Sequence, residues 1–261
     1  MRWWICAALI LLTGCQPAAS NPASPNVDSP DDSTLIQWDR SPTSVVFRAD
    51  VIGGDDDFSA RSAIPLCTVY GDNRVVWINE LDGFNIEILY DRVSDDAVRS
   101  FVEYLTVNER VYTYDWQFDS ILTDDAIAPV AETVSVNVNG VQHRADAFSG
   151  WDPEWFRRVL DACKSISAEP VLFQPDGGWL SAQVAPYNSQ APIIEWDTAS
   201  AGFSLESVVD GEPRWMIGAP MLTLWDDLRR LPSSLLYLEG DSYYTLALQI
   251  PDIMRDSPPA P

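Results

Sequence analysis

Apolar and polar positions along this chain alternate mostly in short runs, and period-two runs bounded by turn residues predict strands rather than helices. Residues 45–52 (VVFRADVI) alternate imperfectly and stop at Gly53-Gly54. Residues 66–70 and 74–79 flank Gly71-Asp72-Asn73 and predict a hairpin, with a further strand over residues 85–90. Residues 133–138 and 141–148 flank Asn139-Gly140, the strongest hairpin signal in the chain, because both turn positions of that dipeptide tolerate left-handed backbone. Strands are also expected at residues 179–185, 193–196 and 203–209, and at 214–217 after an Asp210-Gly211 turn. A last hairpin joins residues 235–238 to 243–250 through Glu239-Gly240-Asp241.

The period lengthens in three places. Ser94 is placed to cap a helix with Asp95 and Asp96 in its first turn, and Ala97, Val98, Phe101, Val102 and Leu105 share one face. Asp152-Pro153 predicts a second start, with Trp155, Phe156, Val159, Leu160 and Cys163 inward. A third helix runs from near Pro220 to Pro232, with Leu224, Trp225, Leu228 and Leu231 on its apolar face. These elements predict an α+β fold of antiparallel sheets with three packing helices. Hairpin, helix, hairpin occurs twice, and YGDNRVVWI and VDGEPRWMI are loosely alike, which suggests a duplicated unit. Glu169-Pro170 marks a boundary between an α+β domain over 37–168 and a second α+β subdomain over 169–255, unless the two form one continuous domain. Residues 256–261 (DSPPAP) read as a disordered tail.

The first residues have a different pattern. Arg2 precedes an apolar run over residues 3–12, which suits a signal-peptide core and falls short of the ~20 residues that span a bilayer. The run ends in Leu12-Thr13-Gly14-Cys15, an aliphatic residue and two small ones before a cysteine, which resembles the lipobox of bacterial lipoproteins. The expectation is a leader over 1–14, removed to leave Cys15 carrying diacylglyceryl and palmitate-type chains, since one acyl chain alone binds a membrane only marginally. An ordinary secretory leader with an incidental cysteine, or a short internal anchor, is the alternative. Residues 15–36, rich in Pro, Ser, Asn and Asp, then serve as a disordered tether. The localisation expected is the cell membrane, anchored by lipid and facing outside the cytoplasm.

Charge narrows the partners. The net charge is −23, and lysine is almost wholly replaced by arginine, Lys164 being its single occurrence. So acidic a chain lacks the basic footprint of a nucleic-acid binder, and it leaves membrane attachment to the lipid on Cys15. Solubility at a crowded surface or adaptation to salt accounts for the acidity, with cation binding or a basic partner as the sharper alternatives. Cys67 and Cys163 remain in a chain bound for an oxidising compartment and are expected to pair, against the alternative of two buried thiols that never meet.

Beyond the lipobox, PLCTVYGDNRVVW resembles the "P-x-x-x-x-YGDG-x-V" segment of exported bacterial lipoproteins of uncharacterised activity. ETVSVNVNGVQH (132–143) is similar to their "TTVTV-x-x-x-G-x-x-H" hairpin, and LEGDSYYTLALQIPD to their C-terminal ending. Asn73 stands where the family has the last glycine of YGDG, and asparagine still tolerates that turn. The resemblance spans most of the mature domain and implies fold and export. It implies no activity, cofactor or catalytic residue.

Standard catalytic constellations are missing from the composition. His143, the single histidine, falls on a hairpin strand with no GxSxG elbow in the chain, so a surface or satisfied side chain is the expectation. One histidine and two separated cysteines cannot supply the usual zinc sets, and no P-loop or GxGxxG is present. No cofactor and no metal ligand is assigned. The acidic runs Asp55-Asp56-Asp57 and Asp124-Asp125 lack EF-hand spacing and read as solvated loops. Tyr112, Tyr114 and Trp116 alternate in VYTYDWQF, so one strand face either displays an aromatic strip for a ligand or forms core. The function expected is a lipid-anchored binding or interaction module of the cell envelope, facing an unknown envelope protein or ligand. The alternative is an envelope hydrolase working through carboxylates.

Overall fold

The computed structural model describes residues 35–54, 58–82, 85–122, 127–209 and 212–261. The leader, Cys15, the tether up to residue 34, Asp55-Asp56-Asp57, Asp124-Asp125 and the Asp210-Gly211 turn lie outside the described residues. Strands and helices follow in the order β1 (Val45–Ile52), β2 (Cys67–Tyr70), β3 (Arg74–Asp82), β4 (Asn85–Arg92), α1 (Asp95–Glu103), α2 (Phe118–Ile121), β5 (Ala131–Val138), β6 (Val141–Asp146) and α3 (Trp155–Ser165). Then come β7 (Val171–Leu172), β8 (Gly177–Ala185), β9 (Ile193–Glu195), α4 (Thr198–Ala201), β10 (Arg214–Ile217), α5 (Gly218–Arg230), β11 (Leu236–Glu239) and β12 (Ser242–Gln249).

The fold is α+β, with one seven-stranded sheet in the order β6-β5-β1-β2-β3-β4-β7 and one five-stranded sheet in the order β10-β8-β12-β11-β9. All pairings in the first sheet are antiparallel. The second contains one parallel pair, β9 with β11, among antiparallel neighbours. The two strand orders do not repeat each other, so the hairpin-helix-hairpin periodicity of the sequence is not a duplicated topology. Residues 36–261 form one compact unit, and β7 adds a strand from beyond Glu169-Pro170 to the first sheet.

Alternation along the strands gives the first sheet two apolar faces. Phe47, Val69, Val75, Trp77, Val134 and Val136 pack against α1 and α3, meeting Val98, Phe101, Val102, Phe156 and Val159. Full burial of each such side chain contributes about 1.5–3 kcal/mol. On the opposite face Tyr70, Val76 and Ile88 pack on the second sheet and α5 through Leu180, Leu205, Met221, Leu248 and Ile250. Only part of the first sheet is covered in this way; β1, β5 and β6 carry polar residues on that face.

Local chemistry sets the element ends. Ser94 Oγ accepts from the Ala97 N–H at 3.2 Å and starts α1. Asp152 Oδ1 accepts from the Glu154 N–H at 2.9 Å, but the helical residues of α3 begin at Trp155. Asn139 and Gly140 take φ of 55° and 72°, as the β5–β6 turn requires. Gly71 is needed for a different reason: a Cβ there would strike the carbonyl oxygens of Asp39 and Ser41. Cys67 of β2 and Cys163 of α3 are joined by a disulfide across a Cα separation of 6.4 Å, tying helix to sheet.

Two predicted elements differ. Residues 203–209 are not a strand but the end of the α4 turn followed by a 3-10 helix, Leu205–Val208. Glu239 diverts them: its carboxylate accepts the Leu205 N–H and the Ser204 hydroxyl, both at 2.8 Å, so this backbone bonds to a side chain instead of a ladder. The C-terminal residues are also held. Trp179 Nε1 donates to the Pro259 carbonyl at 3.0 Å and Gln249 Nε2 to that of Asp256 at 2.6 Å.

Candidate functional site

The aromatic run that the sequence singles out is not a strand. After α1 the chain makes a π turn (Tyr104–Asn108), passes through left-handed Arg110 at φ 51°, and coils into a 3-10 turn at Val111–Thr113. Tyr112, Tyr114 and Trp116 therefore do not form a common strip. Tyr114 packs edge-on against Trp151 and Trp155, at 5.9 and 4.9 Å between ring centroids, as part of the helical core layer. Tyr112 is exposed and meets His143, whose Nε2 lies 3.1 Å from the Val111 carbonyl. That contact satisfies the histidine structurally. Trp116 lies apart from both, beneath the Arg144 guanidinium.

A cleft of about 650 Å³ lies elsewhere, between α5 and the β4–β7 end of the first sheet. Ile86 and Ile88 of β4, Phe173 after β7, and Trp225 of α5 supply apolar lining, and exposed Leu81, Leu172 and Leu222 surround its mouth. Into this lining α5 carries a charge. Met221, Leu224 and Trp225 define its buried stripe, and Arg229, one turn beyond Trp225, continues it. Arg229 is only 9% exposed.

Its guanidinium lies 4.4 Å from the Trp225 ring centroid, and Trp225 in turn meets Phe173 edge-on at 6.1 Å. Nε and Nη2 of Arg229 are buried with no hydrogen-bond partner among the described residues. Burial lowers its pKa from the ordinary 12.5 to about 10. The neighbouring charges do not serve it: Arg230 pairs with Asp226 at 3.0 Å, and Glu87 accepts from Asn79 at 3.1 Å. Buried guanidinium groups normally have carboxylate partners, because an unpaired buried charge is costly. A cation–π contact offsets part of that cost and leaves the N–H donors unused.

Thr223 and Asp227 form a ridge shared with a second recess of about 500 Å³, which Trp196, Asp197 and Tyr237 also line. Desolvation raises the pKa of Asp227, while the Tyr237 hydroxyl, donating at 3.3 Å, opposes that rise. Burial likewise raises the Tyr237 phenol. Among the described residues, no group of three or more His, Cys, Asp and Glu side chains is placed to hold a metal ion.

The cleft thus sets a buried arginine, two of whose donors have no described partner, beside an apolar lining of Trp225, Phe173 and the two isoleucines. Sequence reading missed Arg229. The available signal was its spacing, four residues after Trp225 and eight after Met221, which puts an arginine inside an apolar helical stripe. No protein-family model, curated protein or solved structure matches this chain.

Proposed function

We propose that this protein is a lipid-anchored binding module of the cell envelope, displayed outside the cytoplasm, and that the α5 cleft takes a small amphipathic anion. The anchor rests on the leader pattern and the lipobox ending at Cys15. The binding function rests on one observation: a buried Arg229, two of whose donors have no described partner, lines a cleft of about 650 Å³. The size of that cleft falls in the range of small-molecule sites, and its lining follows their pattern of many apolar groups and few polar ones.

A medium-chain carboxylate matches both halves of the cleft. Its head would accept charge-assisted hydrogen bonds from Arg229, and its tail would cover the exposed leucines at the mouth. Titrating the mature protein with decanoate, with tryptophan emission as the readout, is expected to give saturable binding that decanol reproduces only weakly. Arg229→Met should weaken decanoate binding about 10- to 100-fold, the worth of one charged hydrogen-bonded contact, and leave decanol unchanged. Equal affinity of wild type and variant for decanoate overturns the assignment. Mass spectrometry of the native N-terminal peptide tests the anchor, which fails if Cys15 is unmodified.

The raised Asp227, beside Tyr237, favours a second reading: a hydrolase in which this carboxylate acts as the acid. Asp227→Asn would then abolish turnover of an ester or glycoside probe, whereas the binding reading expects no turnover by the wild type.

A further inference from the structure

On the face of the first sheet left open by the second, strand register collects positive charge. Arg48 of β1 stands opposite Ser135 of β5, and Ser135 opposite Arg144 of β6. Directly opposed residues of antiparallel strands share a face, so both arginines flank one hydroxyl. In the next row Asp50 stands opposite Thr133, and Thr133 opposite Asp146. Both acids are already engaged. Asp50 is held by Arg255, Nε to Oδ2 at 2.7 Å and Nη2 to Oδ1 at 3.0 Å. Asp146 accepts backbone N–H groups from Gln117, Phe118 and Phe148 at 2.6 to 3.0 Å.

A cavity of about 230 Å³ opens over this row, bounded by Trp116, whose ring lies 3.6 Å from the Arg144 guanidinium. Two buried donors at this cavity, Arg48 Nε and Trp116 Nε1, have no hydrogen-bond partner among the described residues. With Asp50 neutralised by Arg255, two guanidinium charges remain here, in a chain of 39 acids and 16 lysines and arginines. Carboxylates are abundant enough to pair most arginines, yet neither Arg48 nor Arg144 forms a salt bridge among the described residues.

We propose that this cavity is a second binding site, separate from the α5 cleft, and that it takes a compact phosphate group. Two guanidinium groups, an indole N–H and the Ser135 hydroxyl offer more donors than the two oxygens of a carboxylate can use. They match the oxygens of a phosphate, for which arginine's fixed fork is suited. The indole beneath Arg144 keeps that guanidinium in place while leaving its N–H edges free to donate.

The experiment titrates inorganic phosphate into the mature protein by calorimetry at fixed ionic strength, with chloride as the balancing ion. In parallel the protein is sedimented with phosphatidylglycerol vesicles. Saturable heat is expected, weakened at least tenfold in Arg144→Gln and in Arg48→Gln. Arg214→Gln, which removes the same charge from an exposed site, should titrate as the wild type. Arg144 is exposed, so its variant folds even if the Arg48 variant does not. A phosphate response dependent on Arg144 assigns a soluble source, and Arg144-dependent vesicle binding without it assigns the phosphate to a lipid headgroup. No response in either arm, or a response unchanged in Arg144→Gln, overturns the proposal.

Discussion

A guanidinium enclosed beside Trp225, with no carboxylate partner among the described residues, places a free-energy cost on the folded state. The lowering of the Arg229 pKa to about 10 corresponds to about 3 kcal/mol of unfavourable desolvation, part of which the indole offsets. Replacing that side chain with an apolar one of similar length removes the cost and keeps the packing. Arg229→Met is therefore expected to raise stability by about 1–3 kcal/mol in urea unfolding, as replacing a buried charge with an apolar side chain often does. A loss of stability in that variant would mean that the arginine serves the fold, and the cleft assignment would fall with it. Gly71 predicts the reverse. Its hydrogen stands against the Asp39 and Ser41 carbonyls, so Gly71→Ala must displace the 39–41 segment and should cost at least about 2 kcal/mol, read by the same unfolding curves.

Among the elements, most strands and all three predicted helices were readable from periodicity, because each has one or two apolar faces to bury. Residues 45–52 and 214–217 match β1 and β10 end for end, and Ser94 caps α1 as its position implies. The failures share a cause: a distant group captures the local backbone. The pattern of residues 203–209 suits a strand, but no sequence signal links it to Glu239, some 35 residues away. The carboxylate of Glu239, raised by desolvation but lowered more by Thr198, Ser204 and the N–H groups of Glu206 and Leu205, sits below the ordinary glutamate range. Glu239→Ala should accordingly free the 198–208 segment, seen as faster amide exchange there at about 1–2 kcal/mol lower local stability, while β11 and β12 stay protected. VYTYDWQF misled for a related reason: alternation predicts a strand only where an edge is open to receive it, and left-handed Arg110 turns this segment back onto α3. Arg229 was legible in hindsight, as a break in an apolar stripe, and the Asn139-Gly140 turn sets Ser135 opposite Arg144, whereas Arg48 joins that row only through the long-range register of β1 on β5.

At the scale of the whole molecule, long-range ties unite the layers. The Cys67–Cys163 bond closes a separation of 96 residues, and loss of that constraint on the unfolded chain corresponds to about 4–5 kcal/mol in the chain-entropy view. Thermal unfolding with and without reductant is expected to show a drop of that order, and coincident curves would place the bond outside the stability of the fold. Alkali acts on the layer between the two sheets. Burial, opposed by Arg48 and Arg74, raises Tyr70 from 10 to about 12. Its neutral phenol therefore contributes in full below pH 10, and that contribution fades as pH rises from 10 to 12. Urea midpoints should fall across that window, and Tyr70→Phe should flatten the fall.

The Asp50–Arg255 pair bears on how the molecule is made. Asp50 is buried in the first strand, and its counter-charge lies 205 positions later in the chain. A growing polypeptide carries that aspartate with its counter-charge still to come, so the inner strand of the large sheet cannot settle until residue 255 has emerged. Its locking waits for the distant arginine, which keeps the intervening stretch pliable while it is being threaded out of the ribosome.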